Sequence, residues 1–471
     1  MAVAKTKRDL TEGALFIPII SFVVPIILTG MLQIVYNMAD NIVVGRYSGD
    51  PNALAAVGST SSLSNLIVNL LMGISGGAGV VVAQSYGAKQ YDRLSKAIHT
   101  STVFSILGGI AFCLLGLLIS RPALELMGTK EELIDSACLY MRIICLGIPG
   151  SAIYNFGAAA LRSIGDSKTP LLILSSTGIL NVLLNLLFVI CFKMTVDGVA
   201  LATIIAQYVS AAVVILILFK RSDEPYSLKM NKMQIDGPSL KRILMLGIPT
   251  GLSGCMFSVS NVILTSGINT LPTTDISAKT IAINIESLVY TAMNSYSPAA
   301  MTFTGQNYGA RKTERIKKSI LYTLLQVTVV GIVGGQVILM FGEPLANLYI
   351  DANDPNRVEV MRAAMQLMRF MLSTYFLCGI MDTLSGCLRG LGYSTVPMIV
   401  SLVTACLLRA LWVFFIFPLE RFNSLLGIYT VYPITWILAI VTLAIVLLIV
   451  FTKIKKKFEA DSEFCSIETE S

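Results

Sequence analysis

Three acidic side chains lie inside long hydrophobic stretches of this sequence. They are Asp40, Glu286 and Asp382. An acid at the centre of a bilayer costs roughly 2.5–3.5 kcal/mol on insertion scales, so such residues usually face a cavity or a partner and handle ions or ligands. Each of these carboxylates could therefore bind a proton or another cation.

The residues before Asp40 indicate how its charge could act on a helix. Tyr36 precedes Asp40 by four positions, so the two side chains share a helix face. Pro25 lies in the same stretch, where it removes a backbone hydrogen bond and permits a bend. The pattern favours a carboxylate whose protonation is coupled to helix shape. The alternative is an aspartate that caps the outer end of this helix.

Membrane helices must position these acids. Hydrophobic residues make up 55% of the chain and charged residues 13%, with a mean hydropathy of +0.74, whereas a soluble domain has about 25% charged residues. We predict an all-α polytopic membrane protein with twelve spans, each able to cross a hydrocarbon core of about 30 Å. The spans are residues 16–45, 53–84, 94–120, 131–160, 169–192, 197–220, 243–268, 277–304, 316–341, 360–388, 395–418 and 424–452.

The second half of the chain repeats sequence motifs found in the first half. Leu161-Arg162 recurs as Leu388-Arg389, and the pattern of Gln84 to Ala88 recurs in Gln306 to Ala310. Repeats with an even number of spans are related by a pseudo-two-fold axis along the membrane normal. We therefore predict two six-helix bundles with linking segments. The expected parts are a cytoplasmic N-terminus 1–13, an N-lobe 14–220, a cytoplasmic linker 221–240, a C-lobe 241–452 and a disordered cytoplasmic tail 453–471.

The polar residues of the two repeats differ. Glu286 matches Ser64, and Asp382 matches Asn155. This asymmetry would suit separate ion and substrate sites, although neutral drift could also produce it. A structural alternative pairs both acids with basic residues inside the C-lobe. The candidate partners are Lys279, Arg369 and Arg409.

Other residue patterns restrict the function. The nine cysteines form no CxxC pair and there is one histidine, so we expect no metal site and no cofactor. The glycines at 73, 76, 77 and 79 are not followed by Gly-Lys-Ser/Thr, which argues against a nucleotide site and favours close helix packing. We expect no nucleic-acid partner, an ion gradient as the energy source, and a monomer in the lipid bilayer.

Lysine and arginine residues predict the orientation. They are concentrated in the N-terminal segment, the linker, the loops after spans two and eight, and Lys453 to Lys457. Because basic loops stay in the cytoplasm, both termini are expected there, in a multi-pass protein of the cell membrane.

The order and spacing of several motifs resemble those of the multidrug and toxic compound extrusion (MATE) family over roughly residues 14–452. The motifs are Pro25 with Tyr36 and Asp40, Gln84 to Ala88 with its repeat, Leu161 to Asp166, and Gly198 to Thr203. Members of that family have two six-helix lobes and exchange protons or sodium ions for organic, often cationic, compounds. The resemblance implies a multidrug efflux antiporter that works by alternating access.

The same resemblance assigns roles to residues. It implies cation coupling at Asp40, with Tyr36, Asn181 and Thr203 around it. Asn185 departs from the family, since many members have an acid there. Because hard cations favour clustered oxygen ligands, this loss weakens a sodium site, so protons are expected, with sodium as the alternative. Substrate contacts are expected at Glu286, Asp382, Asn155, Met31, Met38, Met256 and Met293, although methionines often serve ordinary packing.

Two other functions are open at this point. A flippase for lipid-linked saccharides would keep the fold but would need several interior arginines to hold pyrophosphate, and the interior acids match or outnumber such arginines. A membrane-embedded enzyme is a different class of protein. The chain has no Ser/His/Asp set or cofactor motif that would support it, so we do not expect an enzyme.

Overall fold

The computed structural model describes residues 9–47, 53–350 and 355–470, nearly all of them in helices. Helices are expected of apolar segments in lipid because every backbone N–H and C=O group is then satisfied within its own segment. The α-helices are α1 (Phe16–Tyr47), α2 (Ala53–Gly87), α3 (Tyr91–Leu126), α4 (Glu131–Ser163), α5 (Lys168–Leu186), α6 (Val196–Lys220), α7 (Gly237–Ile268), α8 (Thr273–Asn294), α9 (Tyr296–Gly309), α10 (Thr313–Met340), α11 (Gly342–Asn347), α12 (Arg357–Thr374), α13 (Phe376–Gly390), α14 (Thr395–Ser401), α15 (Leu408–Leu411), α16 (Leu425–Tyr429) and α17 (Val431–Glu470).

The number of helices that could cross a membrane is close to the predicted twelve. Among the described residues, ten helices are long and apolar enough, or eleven if α12 and α13, bent by 41°, form one span. The span predicted at residues 277–304 does not pass the same test. It falls on α8 and α9, which are separated at Ser295 and carry the charged residues Lys279 and Glu286.

The chain divides into two units, but not at the predicted linker. Unit 1 comprises residues 1–9 and 24–254, and unit 2 comprises residues 10–23 and 255–471. The opening part of α1 thus belongs to the unit built mainly from the second half, whereas the linker and the opening part of α7 belong to unit 1. This differs from the lobes expected at 14–220 and 241–452, and side-chain contacts give the physical reason.

In unit 2, the chain before α1 is held by side chains around the α9–α10 turn. The Arg315 guanidinium donates to the carbonyl oxygens of Gly13 over 2.7 Å and Leu10 over 3.0 Å, and also to Asn307 Oδ1 over 3.1 Å. Further along, Gln326 donates to the Phe16 carbonyl over 2.8 Å. Because these bonds bind backbone atoms, the opening of α1 is fixed to this unit.

In unit 1, the linker is held by α3. His99 Nε2 accepts a hydrogen bond from the Lys229 backbone N–H over 2.9 Å, and Thr100 Oγ1 accepts from the Asp236 N–H over 2.9 Å. Asp236 in turn accepts from Ser239 and lies 3.6 Å from the Lys96 ammonium. These hydrogen bonds from Ser239 keep the pKa of Asp236 below its ordinary value. The linker is therefore bound to unit 1.

Glycines bring α2 and α7 into backbone contact within unit 1. A Cβ atom added at Gly73 would lie 2.1 Å from Gly251 Cα, and one added at Gly77 would lie 2.4 Å from Gly247 N. Small residues four apart on each helix permit this approach. The packing role predicted for Gly73 and Gly77 is thus confirmed.

The predicted repeat is also visible in backbone conformation. Gly165 and its counterpart Gly392 have φ values of +97° and +93°, and Lys89 and Arg311 have values of +55° and +56°. Left-handed conformations are uncommon for residues other than glycine, so their recurrence at matched positions supports two copies of one helical plan.

The C-terminal segment differs from the expected disordered tail, because α17 continues to Glu470. The part of α17 beyond its apolar segment has partners in unit 2: Asp461 forms an ion pair with Arg311 at 3.3 Å, and the Phe458 ring lies 5.6 Å from the Tyr308 ring. An i,i+4 pair joins Lys455 and Glu459 at 3.8 Å. These contacts explain helix formation in a segment with few residues to bury.

Candidate functional site

Asp40 lies on α1 in unit 1 and is partly buried, facing two asparagines of α5. Asn185 Nδ2 donates a hydrogen bond to Asp40 Oδ1. The Asn185 side chain has 0% exposure, and its own Oδ1 has no partner among the described residues. The two residues are 145 positions apart in the sequence, and the fold brings their side chains together.

Asn181 and Thr203 complete the polar group around Asp40. The Asn181 amide can be oriented so that its nitrogen donates to Asp40 Oδ1 over 3.0 Å and its oxygen accepts from the Thr203 backbone N–H over 3.3 Å. The Thr203 hydroxyl donates to the Val199 carbonyl over 3.0 Å within α6. Asp40, Asn181, Asn185 and Thr203 are therefore one hydrogen-bonded cluster.

Tyr36 lies beside this cluster but uses its hydroxyl elsewhere. It donates to the Ser175 carbonyl on α5 over 3.2 Å. Its ring packs so closely on Gly178 that an added Cβ there would lie 1.9 Å from Tyr36 Cε2. Tyr36 thus fixes α1 against α5 through a backbone carbonyl and a glycine. The spacing of four residues between Tyr36 and Asp40 in the sequence does not predict this role.

Two backbone irregularities lie along the helical segments that carry Asp40 and Asn185. Pro25 is inside α1 at the point where that helix passes from unit 2 to unit 1, and its carbonyl accepts from Thr29 Oγ1 over 2.7 Å. A π-helical turn at Leu187–Cys191 begins two residues after Asn185. Such turns are frequent at functional sites because they re-aim side chains.

Tyr140 of α4 also interacts electrostatically with Asp40. Sequence reasoning missed this residue. It directly precedes Met141-Arg142, a pair that recurs as Met368-Arg369 in the second half of the chain. That recurrence was a weak signal that polar residues matter in this part of the fourth span.

In unit 2, Glu286 and Asp382 occupy a different environment. Glu286 on α8 is 6% exposed and hydrogen bonds with Tyr375, while its Oε2 has no partner among the described residues. Asp382 on α13 is partly buried and interacts electrostatically with Arg389 and Tyr290. Both acids are therefore next to aromatic hydroxyls.

A buried arginine lies in the same region. Arg409 is 2% exposed, its guanidinium stacks 4.3 Å from the Tyr432 ring centroid, and its Nη1 is 3.5 Å from Ser260 Oγ. The ion pairs formed by the described residues do not join either acid to the expected basic partners. Lys279, for example, donates to Thr265 Oγ1 over 3.0 Å. Direct pairing of the acids is thus not the arrangement seen.

Aromatic rings surround these charges. Tyr375 contacts Tyr290 at 6.3 Å and Trp436 at 5.6 Å, and Tyr432 stacks with Tyr429 at 5.3 Å between ring centroids. Sequence reasoning missed this aromatic group because its members come from α8, the α12–α13 junction, α16 and α17. Electron-rich ring faces attract cations. The rings and the two acids could therefore attract the same positively charged group.

The remaining predicted substrate contacts are distributed unevenly. Asn155 donates to the Ser151 carbonyl over 2.8 Å, next to a cavity of about 40 Å³ that Ser64, Met141, Ser151 and Gln207 help to line. Met31 and Met256 are partly exposed and Met38 is 48% exposed. The expectation for Met293 needs correction. Its side chain is 1% exposed and packs on residues 331 and 379, where glycines make room for it.

The part of the chain that the structure describes contains no group of three His, Cys, Asp or Glu side chains placed to hold a metal ion.

The family model described as MatE matches residues 25–187 and again residues 249–415. The chain belongs to the multidrug and toxic compound extrusion family. Each match begins at a proline, Pro25 or Pro249, so the family pattern itself occurs once per half.

Similar MATE proteins cover nearly the same length. The chain is 28% identical over 426 residues to the probable multidrug resistance protein YoeA of Bacillus subtilis (strain 168), covering 88% of this chain and 89% of YoeA. It is 28% identical over 402 residues to the probable multidrug resistance protein NorM of Thermotoga maritima, covering 82% of each. A solved multidrug resistance MATE family transporter in an outward-facing conformation has a TM-score of 0.86 at 21% identity, covering 97% of this chain and 99% of that chain.

Proposed function

We propose that this MATE protein exports organic compounds in exchange for protons and that Asp40 carries the proton. The observation that carries the proposal is the surroundings of Asp40, where both asparagines can direct N–H donors at the same carboxylate oxygen. N–H donors of this kind form hydrogen bonds with a single carboxylate. Binding of one proton then neutralises the negative charge of that carboxylate. A hard cation such as sodium would favour several oxygen ligands and a second carboxylate. Asn185 occupies the position where many family members have that second acid.

The proposed orientation follows from basic residues. Lys453 to Lys457 lie on the part of α17 that extends past its apolar segment, and Arg311, Lys312 and Arg315 cluster at the α9–α10 turn. Basic segments remain in the cytoplasm during insertion. We therefore place both termini on the cytoplasmic side of the cell membrane, so that protons enter and compounds leave.

The proposed substrates are organic cations and related drugs. YoeA and NorM are named as multidrug resistance proteins, which supports broad export of small molecules here. Glu286 and Asp382 supply negative charge in unit 2, and Tyr290 supplies an aromatic ring that is partly exposed. Together, these groups would bind the charged part of an aromatic cation.

The coupling ion is tested by imposing one gradient at a time. Purified wild-type protein is reconstituted in liposomes loaded with ethidium. We expect an inward proton gradient to drive ethidium out and a sodium gradient of equal size at uniform pH to leave it at the passive rate. Ethidium export driven by sodium alone would contradict proton coupling and would favour the sodium alternative.

Substrate charge is tested by neutralising both unit 2 acids. Glu286→Gln with Asp382→Asn should raise the apparent KM for ethidium at least about tenfold, because one lost charge-assisted interaction is worth about 1.5–3 kcal/mol. The KM for a neutral aromatic substrate should change much less. Glu420→Gln, an exposed acid of the same unit, serves as the control. Equal effects on both substrates would contradict a role for these acids in charge recognition.

A further inference from the structure

We infer that Arg409 binds a small monovalent anion inside unit 2. The chemistry it recognises is a single negative charge that accepts hydrogen bonds, as in a free chloride ion or a small carboxylate such as formate. The inference goes beyond the proposed function, which assigns to unit 2 only groups that bind positive charge. The site lies within one unit, and its existence does not depend on which ion drives export.

The charge of Arg409 is buried without a negative group at contact distance. The side chain is 2% exposed, and it takes part in none of the ion pairs formed by the described residues. Arginine stays protonated in proteins, and a buried charge is strongly unfavourable unless it is paired. The surroundings of Arg409 therefore favour the binding of an anion.

The N–H groups of this guanidinium are largely unused. Nη1 lies 3.5 Å from Ser260 Oγ, which is long for a hydrogen bond, and Nε has no partner among the described residues. The guanidinium carbon lies 4.3 Å from the Tyr432 ring centroid. Stacking of this kind uses the face of the guanidinium, whereas its N–H groups point outwards in the plane. An anion can accept hydrogen bonds from that edge while the stacking is kept.

The backbone that carries Arg409 is irregular on both sides. Arg409 lies in α15, the short helical segment Leu408–Leu411, between π-helical turns at Leu402–Leu407 and Trp412–Ile416. Such turns are rare in helices and are frequent at functional sites. Their occurrence before and after one buried arginine is independent support for a site at this position.

The groups around Arg409 limit the ligand to one negative charge. Arg409 interacts electrostatically with Tyr290, Cys378 and Tyr432, and none of these is basic. Phosphate and pyrophosphate groups carry more charge and are better held by several basic residues. A halide ion or a single carboxylate therefore matches this site better.

The two acids of unit 2 connect anion binding to cation binding. Both Glu286 and Asp382 interact electrostatically with Cys378, as Arg409 does, so the three charges act in one region. An ionised acid repels an anion, but an acid paired with an organic cation repels it less. The anion in turn offsets the charge of Arg409, which opposes the cation. Because such coupling is reciprocal, each ligand should strengthen binding of the other. This step rests on the proposed function.

Bromide quenching of tryptophan fluorescence tests the site directly. The two tryptophans of the chain, Trp412 and Trp436, are 9% and 2% exposed, so bromide in solution has little access to them. The Trp436 ring lies 5.5 Å from the Tyr432 ring on which Arg409 stacks. Purified protein is titrated with sodium bromide against sodium isethionate, a bulky sulfonate, at constant ionic strength. We expect saturable quenching that a competing small anion reverses.

Variants assign the quenching to Arg409. Arg409→Gln should weaken bromide binding at least about tenfold, the factor that corresponds to about 1.4 kcal/mol. Arg409→Lys keeps the positive charge and should retain saturable quenching. Arg421→Gln should match the wild type. Arg421 is exposed and lies 5.9 Å from the Phe422 ring, which is itself 5.5 Å from the Trp412 ring, so this control changes a surface arginine close to a tryptophan.

The fluorescence outcomes decide whether the site exists and what it binds. Reversal by chloride identifies a free halide as the ligand, and reversal by formate alone identifies a carboxylate. Quenching that rises linearly with bromide in the wild type would overturn the inference. Saturable quenching that is unchanged in Arg409→Gln would also overturn it, by placing the anion elsewhere. If the glutamine variant fails to fold, loss of saturable quenching in a folded Arg409→Lys variant would count against the role of charge.

A transport measurement tests the coupling to the exported cation. In liposomes, replacing chloride by isethionate should raise the apparent KM for ethidium at least about fivefold in the wild type and leave it unchanged in Arg409→Gln. A wild-type KM that does not respond to chloride would contradict the coupling. Absence of ethidium transport in every anion would instead reject the proposed function, while the fluorescence titration would still decide the anion site.

Discussion

Asp40→Asn should reduce ethidium export driven by a proton gradient to the passive rate. The substitution keeps the size and planar shape of the side chain but removes the group that binds and releases the proton. It also places an amide between the Asn185 and Asn181 amides, which can still be satisfied by donor and acceptor pairing. The fold should therefore survive while coupling is lost. Export is measured in liposomes with and without the imposed gradient.

A surface acid provides the matched control for this substitution. Asp135 is 84% exposed and pairs with Arg121 at 3.2 Å, and exposed pairs of this kind contribute only about 0–1 kcal/mol. Asp135→Asn should therefore export ethidium at the wild-type rate. If Asp40→Asn kept gradient-driven export, the proton would have to be carried by another residue, and the proposal for Asp40 would be abandoned.

Gly73→Ala should destabilise the protein by at least about 1–3 kcal/mol, the usual cost of overpacking. The added methyl carbon would lie 2.1 Å from Gly251 Cα and 2.1 Å from Gly251 N, both of which are backbone atoms. A side chain could rotate away, but here α2 and α7 would have to separate along their contact. The effect can be measured by thermal unfolding with a thiol-reactive dye, since Cys138 and Cys145 are buried and free.

The same substitution elsewhere in α2 isolates the packing effect. A methyl group at Gly58 would meet no atom within 4 Å, and alanine is favoured over glycine in a helix by up to about 1 kcal/mol. Gly58→Ala should therefore unfold at the same or a slightly higher temperature than the wild type. If the two variants unfolded alike, the close approach of α2 and α7 would not be important for stability.

The helical elements were predictable from the sequence, whereas the grouping of those elements into units was not. Hydrophobic length alone predicted helical segments at each of the twelve spans, since lipid leaves a backbone few other choices. The division of the chain depends instead on long-range hydrogen bonds, such as that from Arg315 to Gly13. No local pattern encodes such a bond, so the sequence did not predict that residues 10–23 group with residues 255–471.

The candidate site was predictable from the sequence only in part. Asp40 was found because a charge in an apolar stretch is conspicuous, whereas Asn181 and Thr203 were found only through family resemblance. Tyr140 and the stacking of Arg409 on Tyr432 were missed. These contacts join distant parts of the chain, and their residue types are ordinary on a membrane helix. Their importance depends on packing, which periodicity does not specify.

The division of α1 between the units also affects how the polypeptide can be made. A ribosome synthesises residues 10–23 before residues 24–254 of unit 1, but their hydrogen-bonding partners Asn307, Arg315 and Gln326 emerge only after those residues. Domains usually mature one after another during synthesis, starting from the N-terminus. Here that order is interrupted, because residues 10–23 leave the ribosome before unit 1 and meet their hydrogen-bonding partners only after that unit has been made.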